Sequence, residues 1–275
     1  MKAGIVVSDD EKAVHVALNA IKILEQLSIE YVVYRRACEH LRVCAKYCDE
    51  EELSSVDFIM CIGGDGTILE TVSVLKKVPP VLGINAGTVG FLTEIDERLI
   101  EWALEKIIEK DYFIDKRARA KVTVGNKASF LVLNEIVFTG ERPFKVFKYR
   151  VLVDGHLVYE DRGDGIIVAT PTGSTAYSLS AGGPVLDPEI KALVLCPLCS
   201  YNSWTRPLVV SASRKITLYS VKQPGLVVYD GIGSYSVRPR EKISVELSDS
   251  YSVEFIRFTN NPFKKLEYRL KGGAL

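Results

Sequence analysis

No sign of charge dominates the 275 residues. Lys and Arg together number 35, as do Asp and Glu, so no net field draws the chain toward nucleic acid or an anionic membrane, and any basic site has to be local. No apolar run reaches the length that spans a bilayer. The opening MKAGIVVSDDEKAV carries a short apolar stretch that ends in acids, which is the pattern of neither a secretory signal nor a transit peptide. These absences lead us to expect a cytoplasmic protein. Cysteine is also scarce: the six residues Cys38, Cys44, Cys48, Cys61, Cys196 and Cys199 are too few and too unevenly placed for a disulfide framework. Cys196 and Cys199 form a CxxC without a second CxxC or a histidine at ligand spacing, so reduced, mostly buried thiols are expected rather than a zinc or redox site. Neither GxGxxG nor GxxxxGK[ST] occurs, and there is no internal repeat or low-complexity tract.

What is present is 47% hydrophobic residues, enough to fill one large domain or two modest ones. Up to about residue 110, short β-rich runs (AGIVVS, IEYVVY, VDFIMCI, PVLGIN) alternate with helical patterns, which argues for parallel strands joined by crossover helices. In the stretch from 96 to 110, Leu99, Ile100, Ala103, Leu104, Ile107 and Ile108 are expected on one helical face, with Asp96 as N-cap. From about residue 116 the pattern becomes strand after strand, with Asp154-Gly155 as a two-residue hairpin turn. The fold expected is a Rossmann-like α/β domain over 1–115 and an all-β sandwich over 116–256.

The stretch CIGGDGTILE follows an apolar strand and leads into a helix striped by Ile68, Val72 and Leu75. Gly63, Gly64 and Gly66 allow the backbone to approach a ligand and to turn its N–H groups toward an anion. Asp65 would repel a phosphate unless it meets a metal ion or takes a proton from an attacking hydroxyl, and both tasks belong to phosphoryl transfer. The blander reading is a tight turn with Asp65 capping the helix. A second glycine loop, GINAGTVGFLT, is placed near the first by parallel-sheet topology and carries Gly87 and Gly90. In the β region Asn134 and Glu135 sit inside an apolar run and need partners. The long segment RGDGIIVATPTGSTAYSLSAGGPVLD is rich in hydroxyls, and Tyr177 offers a stacking face.

GGDGT at 63–67, NxGxxGFL at 85–92, NE at 134–135, DG with TPTGSTAYSLSAGGP at 164–184, RPL at 206–208 and DG at 230–231 occur in the order seen in NAD kinases, and the chain resembles that family over most of its length. The resemblance implies an enzyme that phosphorylates the 2′-hydroxyl of the adenosine ribose of NAD, using ATP, another nucleoside triphosphate or polyphosphate, with Mg or Mn accompanying the donor. It implies Asp65 as proton acceptor and Gly63, Gly64, Gly66 and Thr67 beside the phosphates. For the dinucleotide it implies Asp65, Gly66, Asn134, Glu135, Lys145, Arg162, Asp164, Thr172, Thr175, Ala176, Tyr177, Ser178, Leu179 and Ser180. It implies a homo-oligomer (dimer or tetramer) and a chain end (257–275, including NNPFKKLEYRLKGG) that returns to the first domain, while the lack of a ligand cluster at suitable spacing leads us to expect no metal site made of protein ligands alone.

Three features depart from the family pattern. Glu70 stands where many relatives have a basic residue, which leaves Lys145, Arg162 or Arg206 to supply charge toward the donor. Ile232 follows DG where glutamine is common, and CPLCSYNSW replaces a PHS stretch. His15, His40 and His156 match no family position. A GGDG-type kinase acting on a lipid or sugar hydroxyl, and a non-catalytic dinucleotide sensor, are the alternatives. The lipid reading lacks an apolar membrane-facing stretch, and the sensor reading leaves Asp65 unexplained.

Overall fold

A computed structural model describes residues 1–34, 47–87, 90–142 and 145–261. Cys38, His40, Cys44 and positions 262–275 of the anticipated returning segment lie outside the described residues. The chain forms two compact units, one comprising Met1–Lys116 with the chain from Val253, the other Arg117–Ser252.

The first unit is built on parallel strands β1 (Lys2–Val7), β2 (Glu30–Tyr34), β3 (Tyr47–Cys48), β4 (Phe58–Gly63), β5 (Val81–Asn85) and β6 (Ile95–Asp96). Their order is β5-β4-β1-β2-β3, with β6 paired to β5. Every residue of β4 is buried, as expected of a strand covered on both faces. Between the strands run helices α1 (Glu11–Gln26), α2 (Glu50–Leu53), α3 (Asp65–Val74) and α4 (Ile100–Glu109). The Asp10 side chain caps α1 by accepting from Lys12 N, and Ala13, Val16, Ala17, Ala20 and Leu24 turn inward at the i, i+3, i+4, i+7 spacing of an amphipathic helix. These residues share a core with Ala103, Leu104 and Ile107 of α4.

At 96–110 the expectation is partly corrected. Asp96 does accept from Arg98 N, but 97–99 is a 3₁₀ turn and the α-helix starts at Ile100. Leu99 is 44% exposed and Ile108 49%. At 100° per residue both fall to the sides of the stripe made by Ile100, Ala103, Leu104 and Ile107.

In the second unit, strands β7 (Phe113–Val124), β8 (Ala128–Val132), β9 (Glu135–Gly140), β10 (Phe147–Val153), β11 (His156–Gly163), β12 (Gly165–Ala169), β13 (Ala192–Leu198), β14 (Leu208–Ser211), β15 (Ile216–Ser220), β16 (Gly225–Tyr229), β17 (Gly233–Val237) and β18 (Ile243–Arg257) make two layers. One has the order β11-β10-β15-β18, continued by β7 and β8, and the other β14-β13-β12-β9-β16-β17. Their inner faces interdigitate in one core, where Phe138 and Phe147 meet edge to face at 5.0 Å, so the unit is a β-sandwich. Asp154 and Gly155 have φ of 51° and 83°, the two positive values of the hairpin turn expected there. The end of β18 belongs to the first unit, where Phe255 pairs with Val81 of β5.

Cys48, Cys61 and Cys196 are free and buried, and Cys199 is free but exposed. Burial pushes the Cys61 thiol up to about 12, which makes it inert at neutral pH. No helix among the described residues is long and apolar enough to cross a membrane.

Candidate active site

In the α/β unit, β1 and β4 end side by side, with Ser8 N donating to Ile62 O at 3.0 Å. The chain leaves β1 toward β2, while β4 lies on β1's other flank. The β4–α3 junction therefore sits at a point where strand order reverses, the usual location of a ligand crevice in such sheets. The junction is tighter than a loop: the strand includes Gly63, Gly64 is the cap residue without a side-chain bond, and Asp65 is already the first residue of α3. A side chain at Gly64 or Gly66 would meet nothing within 4 Å, so their smallness serves no packing need within the protein. It leaves the helix N-terminus open to an anion.

Asp65 does not cap its own helix. Its Oδ2 accepts from Phe91 N at 2.8 Å and its Oδ1 from Leu92 N at 2.9 Å. The two glycine loops are thereby joined, and the half-buried carboxylate is held in one orientation by two amides. Gly90 is required by this approach, since a Cβ there would lie 2.1 Å from Asp65 Oδ1. Thr67 is half-buried, and its carbonyl accepts from Thr71 Oγ1 at 2.7 Å. Glu70 is exposed.

In the sandwich, Asn134 and Glu135 meet a third residue. Asp230, at the β16–β17 turn, accepts from Leu133 N at 2.7 Å, Asn134 N at 2.8 Å and Glu135 N at 3.0 Å. Burial pushes the Asp230 carboxyl up to about 6, held back by those three amides and by the charge of Arg119. Burial, with the Asp230 charge adding to it, pushes Glu135 up to about 8. Glu135 Oε2 is buried without a hydrogen-bond partner, an arrangement that costs stability unless a ligand hydroxyl or amide meets it.

The segment after β12 closes over the same strand end. Thr170 N donates to Asn134 O at 2.8 Å, and Thr170 Oγ1 donates to Leu133 O and accepts from Gly173 N. Gly173 lies so close that a Cβ would stand 2.0 Å from Asn134 O. Ser174 Oγ donates to Pro171 O and accepts from Leu186 N, while Ala181 and Leu186 pack on Ile167, Ala169 and Cys196 at the outer face of β12 and β13. Thr172 and Ser178 are buried, Thr175, Ala176 and Leu179 half-buried, and Tyr177 and Ser180 exposed. Ser178 Oγ is buried without a partner.

Not all of the anticipated dinucleotide residues gather here. Glu135 pairs with Ala169 and Thr139 with Gly165, so Asp164 lies beyond the opposite end of β12, about 17 Å away along the strands. Arg162 is at that far end too, its guanidinium 4.0 Å from the Tyr201 ring centre. Arg162 and Tyr201, with Lys148 and Asp161, line a cavity of 490 Å³. Lys145 lines a different cavity, of 360 Å³, with Arg142 and Lys222. Arg206 is spent on Ser203 O and Thr205 O. His15 and His156 are exposed. Asp230 was recognisable in sequence as part of a DG pair, but nothing local marks it as the partner of a strand 95 residues earlier.

Comparison with known proteins gives a consistent result. Residues 3–112 match the ATP-NAD kinase N-terminal domain and residues 133–258 the ATP-NAD kinase C-terminal domain. The NAD kinase of Methanosphaera stadtmanae is 36% identical over 275 residues, covering 98% of this chain and 99% of its own. That of Methanothermobacter thermautotrophicus is 35% identical over 279 residues, covering 100% and 98%. Among solved structures, an NAD kinase from Archaeoglobus fulgidus in complex with ATP is similar at a TM-score of 0.81 and 33% identity, over 98% of this chain and 99% of that one. Yeast NADH kinase complexed with NADH shares the fold, with a TM-score of 0.91 at 24% identity over 99% and 87%.

Proposed function

Because the chain belongs to the NAD kinase family, we propose that it transfers the γ-phosphoryl group of ATP to the 2′-hydroxyl of the adenosine ribose of NAD, with Asp65 as the proton acceptor. Membership sets aside the lipid, sugar and sensor readings. The ribose oxygen forms a bond to the γ-phosphorus, the bond from that phosphorus to the bridging oxygen breaks, ADP leaves, and the hydroxyl proton passes to Asp65. The observation that carries this assignment is the carboxylate fixed by Phe91 N and Leu92 N at the open start of a ten-residue helix. Fixed orientation of the acceptor is what proton transfer in the transition state requires.

We assign the dinucleotide to the end of the sandwich where Asn134, Glu135, Thr172, Thr175, Ala176, Tyr177, Ser178, Leu179 and Ser180 gather. Glu135 Oε2 and Ser178 Oγ, both without a partner, suit ribose hydroxyls or amide donors. Lys145, Arg162 and Asp164, which the resemblance also assigns to the dinucleotide, lie away from this strand end and in this reading would meet a different part of the ligand. In this reading the divalent cation would enter with the donor's phosphates. When bound it neutralises phosphate charge, a task for which Glu70 is unsuited. A cytoplasmic homo-oligomer is kept in this reading, with the edge strand β14, which exposes Leu208 and Val209, as a surface on which copies could pair.

The test is NADP formation by the purified protein with NAD or NADH and a panel of donors, for wild type and Asp65→Asn. Loss of proton transfer should lower turnover by about 10² to 10⁴ and leave NAD binding intact. Near-normal turnover by Asp65→Asn would remove the residue from the mechanism.

A further inference from the structure

The segment 90–94, a strap whose Phe91 and Leu92 amides hold Asp65, is itself gripped from behind. Leu92 donates its N–H to Asp65 Oδ1 at 2.9 Å and accepts at its carbonyl from Arg257 Nη1, also at 2.9 Å. The same guanidinium reaches Glu94 Oε2 at 3.1 Å and, through Nε, Asp115 Oδ2 at 3.1 Å. The other oxygen of Glu94 accepts from Phe258 N at 3.0 Å, so strap residue 94 is tied to the end of β18 twice. Arg257 is 8% exposed and lies 5.0 Å from the Phe255 ring centre.

We propose that Arg257 is a positioning residue for the Asp65 carboxylate. It acts through the strap rather than on substrate, and the proposal rests on the reading of Asp65 as the proton acceptor. A planar fork bound at once to a backbone carbonyl and two carboxylates fixes the strap in both translation and rotation, which a single ammonium cannot do. The strap's amides are Asp65's hydrogen-bond donors, so a strap that shifts carries the carboxylate out of line with the attacking hydroxyl. Misplacement of that kind depresses the chemical step more than substrate affinity.

The experiment uses the full chain with Arg257→Lys, Arg257→Met and Gly90→Ala, each checked for folding by circular dichroism and thermal melting, with NADP formation resolved into kcat and KM for both substrates. Arg257→Lys keeps a positive charge beside Glu94 and Asp115 but not the three-way fork. It should lose about tenfold or more in kcat with KM for NAD changed less than about twofold. Gly90→Ala disturbs the strap from the opposite side, since its Cβ would press on Asp65 Oδ1, and should give the same split. If Arg257→Met does not fold, the other two variants decide.

On an Asp65→Asn background, Arg257→Lys should cost nothing further, because groups acting as one unit are not additive. A folded Arg257→Lys with unchanged kcat would overturn the proposal. So would a change confined to KM, or a full additional loss on the Asp65→Asn background. Failure of the base assignment shows separately, as near-normal activity in Asp65→Asn alone.

Discussion

Replacing Glu135 with glutamine should stabilise the protein while weakening its hold on NAD. Glu135 is 7% exposed, and its carboxyl is pushed from 4.5 up to about 8 by burial and by Asp230. In the folded chain at pH 7 it therefore keeps its proton, whereas in the unfolded chain it would release it. Below pH 4.5 both states are protonated and nothing is lost. As pH rises toward 8 the unfolded chain gains by ionising and the folded one does not, so stability falls across that window. Two and a half pH steps separate 4.5 from 7, and at about 1.4 kcal/mol per step the cost lies between about 3 and 4 kcal/mol. Glutamine cannot ionise and removes this cost, although its buried amide still needs partners. A net gain between about 1 and 3 kcal/mol at pH 7 is expected. Urea unfolding followed by circular dichroism at pH 5, 7 and 8.5 reads the difference, which should be small at pH 5 and largest at 8.5. A difference independent of pH would refute the reasoning, as would a loss of stability that grows with pH, since either would mean that the folded protein carries Glu135 charged and satisfied.

Asp230→Ala strips the acceptor from three amides and should destabilise by at least about 2 kcal/mol, seen as a lower melting temperature together with weaker NAD binding and unchanged ATP binding. Gly173→Ala forces a methyl against Asn134 O and should cost about 1–3 kcal/mol by the same melt, with NAD affinity falling in calorimetry. Excess chelator should abolish NADP formation reversibly and leave NAD binding nearly intact. Activity that persisted in chelator would show that the donor's phosphates need no divalent cation.

Much of the α/β unit was legible because its elements are set by local patterns. Ile68 and Val72 mark the buried face of α3, Leu75 just past its end is buried too, and the apolar run 58–62 reads as a strand covered on both faces. Near residue 100 the expected face differs at two positions: Leu99 lies in a 3₁₀ turn that periodicity does not distinguish from the α-helix after it, and Ile108 flanks the buried stripe of that helix. Asp65 was legible as an unusual carboxylate because three glycines surround it. Its partners were not, because they are backbone amides 26 and 27 residues away that leave no side-chain signature. The same holds for Asp230, which meets the strand at 133–135 by a long-range fold contact. Arg257 sits in an ordinary-looking strand, and its three acceptors come from residues 92, 94 and 115. The separation of Asp164 from Glu135 follows from one fact that motif order does not carry: a strand of five residues lies between Asp164 and Thr170.

The last strand has a consequence for how the molecule is made. Asp65 leaves the ribosome early, and the glycine strap follows within thirty residues, but the guanidinium that braces the strap arrives only when residue 257 is synthesised. The sandwich between Arg117 and Ser252 can complete its own core in the meantime. A chain interrupted before residue 257 can thus hold a folded β unit while the segment whose amides meet Asp65 still lacks its brace.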